Sequence, residues 1–566
     1  MLYKITIDKG TTYEYKIINY ETLKESVEII DIVPFDEKLF NGDIIEFVDN
    51  KCKIVNSSIR NISYIQGILI CEGNKTFGRN KNKYLYKCIP DDKRLPIFLI
   101  PYEIQGKTFT KYFKNKYVNF KFKHWNDKHP YGELVHTIGD VDILENFYEY
   151  QLYCKSLNAS IQDFTKKTLK KIKERTFDEY IEYILKENPY IRDHRNRTIF
   201  TIDGKNTQDF DDAIYCSKTV SGTYNMCIYI SNVTLWIDTL NLWESFSNRI
   251  STIYLPDRKR PMLPTVLSDC LCSLQKNENR FAFVLDLTIN NDGEIIQNEY
   301  YNSIINVTEN YEYEEKKLIH NKNYIIALEC AQLMCQHKNY IHSVNNSNDL
   351  ITYLMIMTNH FAALSFKKRK NGIFRSSTIN ENISLPNTLD ENVLKFMQIW
   401  RANAGEYTKQ NVNNTHMILK LDAYSHITSP IRRIIDLLNL IQIQENEYLY
   451  TFNEKAHKFL NNWIEQLEYI NVTMRAIRKV QTQCSLLDII FKNPQIETRN
   501  YSGFVFDKIQ RNDGLFQYMV YLSQLKMVSK ITTCINKNNY QMCYFNIYKF
   551  KDAENFKQKV RINMIE

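Results

Sequence analysis

Four aspartates within ten residues could hold a divalent metal ion. They are Asp203, Asp209, Asp211 and Asp212, and the only basic residue in that stretch is Lys205. If these carboxylates fold together, their like charges repel, and one of them must keep a proton unless a cation is bound. Oxygen ligands of this kind select Mg²⁺ or Mn²⁺ over zinc. Such an ion can polarise a phosphate and prepare a water molecule for attack.

The aspartates are predicted to lie on a loop between two strands. Residues 198–202 before them are β-branched and aromatic, and residues 213–216 after them are mostly apolar. Phe210 and these flanking runs indicate that the loop is buried, and a solvated acidic turn is the alternative. A calcium loop is disfavoured because Lys205 and Thr207 occupy ligand positions and no glycine is sixth.

A second set of residues could bind the phosphate on which such a metal acts. The run Tyr-Ser-His-Ile-Thr-Ser-Pro-Ile-Arg-Arg-Ile-Ile-Asp predicts a helix with Ser429 as N-cap and Pro430 in the first helical position. Arg432 and Arg433 then lie in the first turn, where basic residues oppose the helix dipole. A bound phosphate would compensate. The alternative is an ion pair between Arg432 and Asp436, four residues on.

Composition limits the class of protein but does not decide its function. The 566 residues predict several domains, and the hydrophobic fraction of 44% excludes a disordered chain. The net charge of +8 is a mild excess, and the aromatic fraction of 13% suits stacking on unpaired bases or reflects an AT-rich genome. The 13 cysteines show no zinc or disulfide spacing. No signal peptide or membrane-spanning run is found, so we expect an intracellular protein, cytoplasmic or nuclear, with no membrane partner.

The pattern of elements predicts an α+β multidomain chain. Residues 1–150 carry short alternating runs typical of small β-barrels. Residues 151–200 have helical spacing, and residues 200–310 return to strands. Residues 313–490 are mostly helical, and from residue 501 the chain is again β-rich, which predicts a small terminal barrel.

Three blocks of sequence resemble the ribonuclease II family, whose members share an RNB domain. The aspartate loop matches the family pattern Thr-Ile-Asp, five residues, Asp-Phe-Asp-Asp-Ala, and the arginine segment matches a second family motif. Residues 254–274, from Tyr-Leu-Pro to Leu-Cys-Ser-Leu, match a third. The resemblance covers about 185–490. Residues 90–96 and 125–139 resemble the cold-shock region of eukaryotic exosome-type members, and we expect a layout that lacks their N-terminal endonuclease domain.

This resemblance implies a fold and an activity. The fold comprises N-terminal cold-shock or OB-type β-barrels, a central mixed α/β RNB catalytic domain and a small C-terminal OB-like barrel. The expected bounds are 1–55 and 56–150 for the barrels, 151–495 for the RNB domain with its helical lead-in, and 496–566 for a shortened S1-type barrel. The implied activity is Mg²⁺-dependent, processive 3′-to-5′ hydrolysis of single-stranded RNA to nucleoside 5′-monophosphates, by a monomer.

The resemblance also implies a role for each matching residue. The four aspartates hold Mg²⁺, with Mn²⁺ as the alternative, and Asp211 matches the carboxylate on which turnover depends most. Arg432 neutralises charge on the scissile phosphate, and Tyr313 matches the tyrosine at the cleaved end. Tyr254 matches an aromatic that stacks near the terminal bases, and Arg433 is a further substrate-binding residue.

The chain departs from the family pattern at several positions. Tyr229 and Asn232 replace a histidine and an aspartate, Tyr353 replaces a glutamate, and Leu440-Ile441 replaces His-Arg. These changes leave the aspartates and the arginine of the site intact, which favours activity. Two alternatives remain: a non-catalytic RNA-binding scaffold with a degenerate RNB site, and a metal phosphoesterase that acts on DNA.

Overall fold

The chain forms two compact units. The first comprises Met1–Asn158, Leu255–Asp257 and Lys479–Glu566, and the second comprises Ala159–Tyr254 and Arg258–Arg478. A computed structural model describes residues 1–8, 14–25, 32–48, 51–103, 113–378, 405–410, 414–552 and 558–565, with a few positions between 389 and 400.

Two β-sheets built from the first 140 residues lie in the first unit. The strands of the first sheet are β1 (Leu2–Ile7), β2 (Tyr15–Asn19), β3 (Ile44–Val48) and β4 (Lys51–Asn56), in the order β2-β1-β3-β4. The strands of the second are β5 (Ile65–Leu69), β6 (Arg79–Asn80), β7 (Lys83–Pro90), β8 (Phe98–Tyr102), β9 (Lys116–His124) and β10 (Tyr131–Asp140). Their order is β5-β9-β10-β8-β7-β6, and β5 also pairs with β7, which closes the sheet into a barrel. This barrel confirms the predicted fold class for this part of the chain.

The second unit contains a closed mixed sheet. Its strands are β11 (Arg192–Asp193), β12 (Ile199–Asp203), β13 (Asp212–Lys218), β14 (Tyr224–Ser231), β17 (Asn279–Ile289) and β18 (Ile295–Glu312), and the short hairpin β15 (Ile253–Tyr254) and β16 (Lys259–Arg260) lies between them in sequence. The order is β11-β18-β12-β13-β14-β17, and β17 also pairs with β18. The loop between β12 and β13 carries Asp209 and Asp211, and Asp203 and Asp212 are the adjoining ends of the two strands, so the predicted strand, loop and strand are present. A further pair, β19 (Ile373–Ser376) and β20 (Glu406–Lys409), is antiparallel.

Most helices lie in the two regions, 151–200 and 313–490, where helical spacing predicts them, whereas Ser58–Asn61, Val233–Thr239 and Val266–Leu271 lie where strands were predicted. The α-helices are Ser58–Asn61, Leu144–Cys154, Gln162–Ile172, Phe177–Glu187, Val233–Thr239, Lys316–Ile319, Lys322–His337, Ser347–Arg369, Ile434–Asn446, Glu454–Glu465 and Leu467–Lys492, and Val266–Leu271 is π-helical. Short 3₁₀ turns cover Glu72–Asn74, Trp243–Ser245, Met417–Leu419, Pro494–Thr498 and Ser523–Leu525. Within the part of the chain described here, no helix is both long and apolar enough to span a bilayer.

The core of the second unit lies on both faces of the central sheet. In β14, Met226 and Ile228 pack with the helices on one face, whereas Cys227 and Tyr229 pack on the other. Successive side chains of a strand point to opposite faces, so a strand buried on both sides becomes continuously apolar. Helix Ile434–Asn446 is likewise buried on nearly every side.

The C-terminal strands form a separate sheet within the first unit. They are β21 (Asn500–Gln510), β22 (Phe516–Leu522), β23 (Met527–Thr533), β24 (Met542–Lys551) and β25 (Gln558–Ile565), antiparallel in the order β23-β22-β21-β24-β25. Alternate residues such as Tyr518, Val520 and Phe545 form its core. The predicted β-rich C-terminus is therefore present.

Candidate active site

The loop of aspartates is held in place by Ser273, a fully buried serine of the third sequence block. Its Oγ donates to the carbonyl of Gln208 at 2.7 Å and accepts the N–H of Phe210 at 3.0 Å. The N–H of Ser231 donates to the carbonyl of Asp211 at 2.8 Å. These bonds satisfy the polar backbone of a buried loop, and they fix the direction in which its carboxylates point.

Burial brings the carboxylates into electrostatic conflict. Asp211 and Asp212 are 2% and 8% exposed. Burial raises the pKa of Asp203 to about 7, with the charge of Asp211 as the second cause. Burial likewise raises the pKa of Asp211 and of Asp212 to about 7, while the nearby charge of Arg432 opposes the rise in both. A site of this kind holds a proton or a cation at neutral pH.

Arg432 lies against this cluster although 221 residues separate it from Asp211. Its Nε is 2.9 Å from Oδ2 of Asp211, and the N–H of Ile431 donates to Oδ1 of Asp211 at 2.9 Å. The carbonyl of Arg432 accepts the N–H of Thr252 at 3.0 Å and the hydroxyl of Ser251 at 2.9 Å. The structure thus unites the two predicted sets of residues.

The helix after the arginines begins later than predicted. It spans Ile434–Asn446, and Arg433 is its N-cap in an extended conformation. Ser429 and Pro430 belong instead to a preceding turn, in which the N–H groups of Arg432 and Arg433 donate to the Ser429 carbonyl at 3.2 and 3.0 Å. The prediction that Ser429 caps the helix is therefore wrong, and neither arginine lies in the first helical turn.

Asp436 explains why this turn is stable. Its Oδ1 accepts the N–H of Ser429 at 2.8 Å and Nη2 of Arg433 at 2.7 Å. Because Asp436 holds the turn against the helix start, the chain cannot enter the helix at Pro430. The alternative that pairs Arg432 with Asp436 is also wrong, since Arg433 is the partner and Arg432 is left for Asp211.

Asp209 has partners that the sequence did not suggest. The hydroxyl of Tyr254 donates to Oδ2 of Asp209 at 2.9 Å. Nζ of Lys259 lies 3.1 Å from Oδ1 of Asp209 and 2.9 Å from Oδ1 of Asp269. Lys205, the only basic residue within the loop, is exposed, so Lys259 and Arg432 supply the positive charge instead. The sequence could have suggested Lys259 only through its closeness to Tyr254 in the third block. The β15–β16 hairpin, which pairs these two residues, is what brings Lys259 to the loop of aspartates.

Tyr313 directly follows β18, beside the end of the parallel strand β12. Its N–H donates to the carbonyl of Asp203 at 3.0 Å, and its side chain is 37% exposed. Burial, followed by the charges of Asp212 and Asp203, raises the pKa of its hydroxyl to about 12. The hydroxyl is therefore neutral at physiological pH and close to the carboxylates.

A cavity of about 820 Å³ joins these residues. Every predicted site residue except the buried Asp211 lines it: Asp203, Asp209, Asp212, Tyr254, Tyr313, Arg432 and Arg433. The sequence reasoning missed other members of the lining, namely Lys259, Asn359, Tyr424 and His426. Asn359 stabilises the segment before the arginines, because its Oδ1 accepts the N–H of Ile427 at 2.9 Å.

The residues fit a magnesium ion held by few carboxylates better than a closed metal cage. Across the described ranges, no group of three or more His, Cys, Asp or Glu side chains has the arrangement of a metal site. Oδ2 of Asp203 is nevertheless buried and accepts no hydrogen bond from the described residues. Mg²⁺ usually keeps several waters and takes only one or two carboxylates together with substrate phosphates, which suits Asp203 and its neighbour Asp212.

The four departures from the family pattern lie in the core. Tyr229, Asn232, Tyr353 and Leu440 are all buried, and none of them lines the cavity. The amide of Asn232, for example, donates to Oε1 of Gln444 at 3.0 Å. They therefore change the packing behind the site and not its lining.

Comparison with known proteins agrees with this geometry. A family model of the RNB domain matches residues 191–325 and 321–449, and a model of the Dis3-like cold-shock domain 2 (CSD2) matches residues 85–149. Residues 191–449 of the chain therefore match the RNB domain. Ribonuclease R of Buchnera aphidicola subsp. Schizaphis graminum is 27% identical over 347 residues, which are 46% of this chain and 47% of that protein. The chain spans about half the length of the curated relatives it matches.

Two solved structures share the fold of this chain. Mycoplasma genitalium RNase R in complex with ribose methylated single-stranded RNA superposes with a TM-score of 0.65 at 15% identity, over 100% of both chains. Yeast Ssd1, described as a pseudonuclease, superposes with a TM-score of 0.58 at 13% identity, over 94% of this chain and 78% of that one. At such identities the likeness establishes the fold alone.

Proposed function

We propose that this chain is a processive exoribonuclease that removes nucleoside 5′-monophosphates from the 3′ end of single-stranded RNA. Its metal is Mg²⁺, with Mn²⁺ as the alternative. The contact between Arg432 and the buried Asp211 carries the proposal, because it places a guanidinium beside a cavity lined by the other three aspartates. Carboxylates for a metal together with an arginine for phosphate are what phosphoryl transfer requires.

Asp203 and Asp212 are the residues that would hold the metal first, since Oδ2 of Asp203 accepts no hydrogen bond from the described residues. Asp209 and Asp211 complete the set once Lys259 and Arg432 turn from them to the substrate. Bound Mg²⁺ supplies charge neutralisation at the phosphate and an activated water.

The basic and aromatic side chains position the RNA. The Arg432 side chain is 46% exposed and lines the cavity, and it neutralises charge on the scissile phosphate. Arg433 is held by Asp436 and keeps a buried Nε without a partner among the described residues, which can donate to a backbone phosphate. Tyr254 and Tyr313 present aromatic faces on which the terminal bases stack.

RNA is the proposed partner, and contacts to the 2′-hydroxyl select it over DNA. The structure shared with an RNase R solved in complex with single-stranded RNA supports this choice. The OB-type sheets guide the strand through stacking and basic side chains. We further propose a monomeric intracellular protein, cytoplasmic or nuclear, with the domain bounds 1–55, 56–150, 151–495 and 496–566.

Digestion of 5′-labelled single-stranded RNA tests the proposal. The intact protein with Mg²⁺ should shorten the RNA from its 3′ end and release monophosphates. Chelator or the variant Asp211→Asn should abolish product, and a DNA strand of the same sequence should survive. The matched control is Asp193→Asn, a surface aspartate that pairs only with its neighbour Arg195 among the described residues, and it should retain full activity. Preferential loss of DNA would instead identify a DNA phosphoesterase.

A non-catalytic RNA-binding scaffold is the second candidate. Two observations favour it: Lys259 and Arg432 neutralise two of the four aspartates, and a pseudonuclease shares the fold. On this candidate the intact protein and Asp211→Asn bind RNA equally in fluorescence anisotropy, and neither yields product.

A further inference from the structure

A second cavity lies in the first unit, among residues that the proposed RNA-cleaving site does not use. It has a volume of about 510 Å³ and is enclosed by helix Leu144–Cys154, helix Leu467–Lys492 and strands β23 to β25. Its lining residues all belong to the first unit, whereas those of the 820 Å³ cavity all belong to the second. Volumes in this range are typical of small-molecule sites.

A buried carboxamide faces this cavity. Gln151 is 5% exposed, lines the cavity, and has an Nε2 without a hydrogen-bond partner among the described residues. The other buried residues of its helix are aromatic or aliphatic. A buried donor without an acceptor is rare because it costs free energy, so an acceptor atom on a bound molecule would satisfy it.

The cavity is strongly positive. Its lining contains five basic side chains and, within the described residues, no acidic one. Lys559 is paired with Asp552. For Lys155, Lys479, Lys530 and Arg561 the described residues offer no ion pair, and all four are exposed. They can therefore meet an anionic group at the mouth while Gln151 lies inside.

Apolar side chains also line the cavity. Phe147 and Phe550 line the cavity together with Leu487 and Met527, and aromatic faces suit a planar heterocycle. We propose that this cavity binds a free mononucleotide. The base packs against the phenyl rings and accepts the Gln151 amide N–H through a ring nitrogen or carbonyl oxygen, and the phosphate lies among the lysines. This site does not depend on the proposed RNA cleavage.

Isothermal titration of the whole chain with AMP and UMP, in the presence of chelator, tests the site. AMP should bind, and adenosine or inorganic phosphate alone should bind at least about tenfold more weakly, because each occupies only one of the two polar regions. Gln151→Leu keeps the shape of the side chain and removes the donor. This variant and Lys530→Glu should each weaken AMP binding by about tenfold.

Two control variants locate the binding. Gln481→Leu changes a carboxamide on the other helix of the cavity, Leu467–Lys492, and Gln481 does not line the cavity. Arg432→Ala alters only the RNA-cleaving site, so both variants should leave AMP affinity unchanged. No AMP binding, binding unaffected by Gln151→Leu, or binding lost in Arg432→Ala would overturn the proposal. If Gln151→Leu fails to fold by circular dichroism, the exposed Lys530→Glu decides alone.

A short single-stranded oligonucleotide separates the two sources of a nucleotide. If the oligonucleotide displaces AMP, and if Gln151→Leu weakens its binding as much as that of AMP, the cavity holds a nucleotide of bound RNA. The free-ligand proposal is then wrong. If the oligonucleotide does not displace AMP, the proposal stands. Neither result bears on the digestion assay, so failure here and failure of the proposed activity remain distinguishable.

Discussion

Replacing Arg432 by alanine should disable the RNA-cleaving site while leaving the fold intact. Nε of Arg432 lies 2.9 Å from Oδ2 of Asp211, which is 2% exposed. Two unit charges at that separation attract by roughly 5–6 kcal/mol at an effective dielectric constant of about 20. Because the arginine side chain is 46% exposed, solvent reduces this to about 2–3 kcal/mol.

The loss should appear mainly in the chemical step. Without Arg432 the pKa of Asp211, already raised to about 7, rises further, so this carboxyl carries a proton at neutral pH. Arginines that neutralise a transferring phosphoryl group contribute about 10³-fold or more. We therefore expect Arg432→Ala to lower single-turnover cleavage by about 10³-fold, or about 4 kcal/mol. Arg432→Lys keeps the charge but loses the Nε contact, so its cleavage rate should lie between those of the intact protein and Arg432→Ala.

Single-turnover digestion of 5′-labelled RNA with saturating Mg²⁺ measures this loss. The matched control is Arg195→Ala, because Arg195 is an exposed arginine of the same unit that pairs with Asp193 two residues away. It should cleave like the intact protein. The reasoning is refuted if Arg432→Ala cleaves within about threefold of the intact protein, or if Arg195→Ala loses as much.

Three further outcomes are expected. Lys259→Met should tighten Mn²⁺ binding by about fivefold in calorimetry, because Asp209 loses a competing cation worth about 1 kcal/mol; unchanged or weaker binding contradicts this. Asp436→Ala should lower the free energy of unfolding by about 3 kcal/mol, since it strands the largely buried Arg433; an unchanged Tm contradicts it. His194 is 6% exposed and burial lowers its pKa to about 4, so the unfolded chain binds a proton first as pH falls below about 6.5. The intact protein therefore loses stability over that range. Between pH 7 and pH 5 the free energy of unfolding of His194→Gln, measured in urea, should fall by about 1–2 kcal/mol less than that of the intact protein; equal losses contradict this.

The order and type of the main elements were predictable because their signals are local. The strand, loop and strand around Asp203 and Asp212 follow from β-branched runs that flank a polar segment, and the structure has β12 and β13 there. The family motifs likewise identified eight candidate residues, and the 820 Å³ cavity gathers all of them except the buried Asp211. Short-range pattern therefore determined which side chains could do chemistry.

The start of the helix after Arg433 shows where local signals fail. Ser429 and Pro430 have the types expected at a helix start, yet the helix begins at Ile434. The Asp436 carboxylate captures both the Ser429 amide and the Arg433 guanidinium, and residue 251 of a distant segment bridges to Arg433. Such tertiary bonds outweigh a capping preference that is worth only about 1 kcal/mol.

By itself, the sequence determined the set of carboxylates, the arginine motif and the alternation of barrel, helical and barrel-like regions. Only the tertiary structure decided that Arg432 and not Arg433 meets Asp211, that Lys259 meets Asp209, and that Gln151 is buried without an acceptor. The reason is physical: residue type and spacing specify local conformation, whereas the partner of a charge depends on which distant segments the buried core brings within a few ångströms.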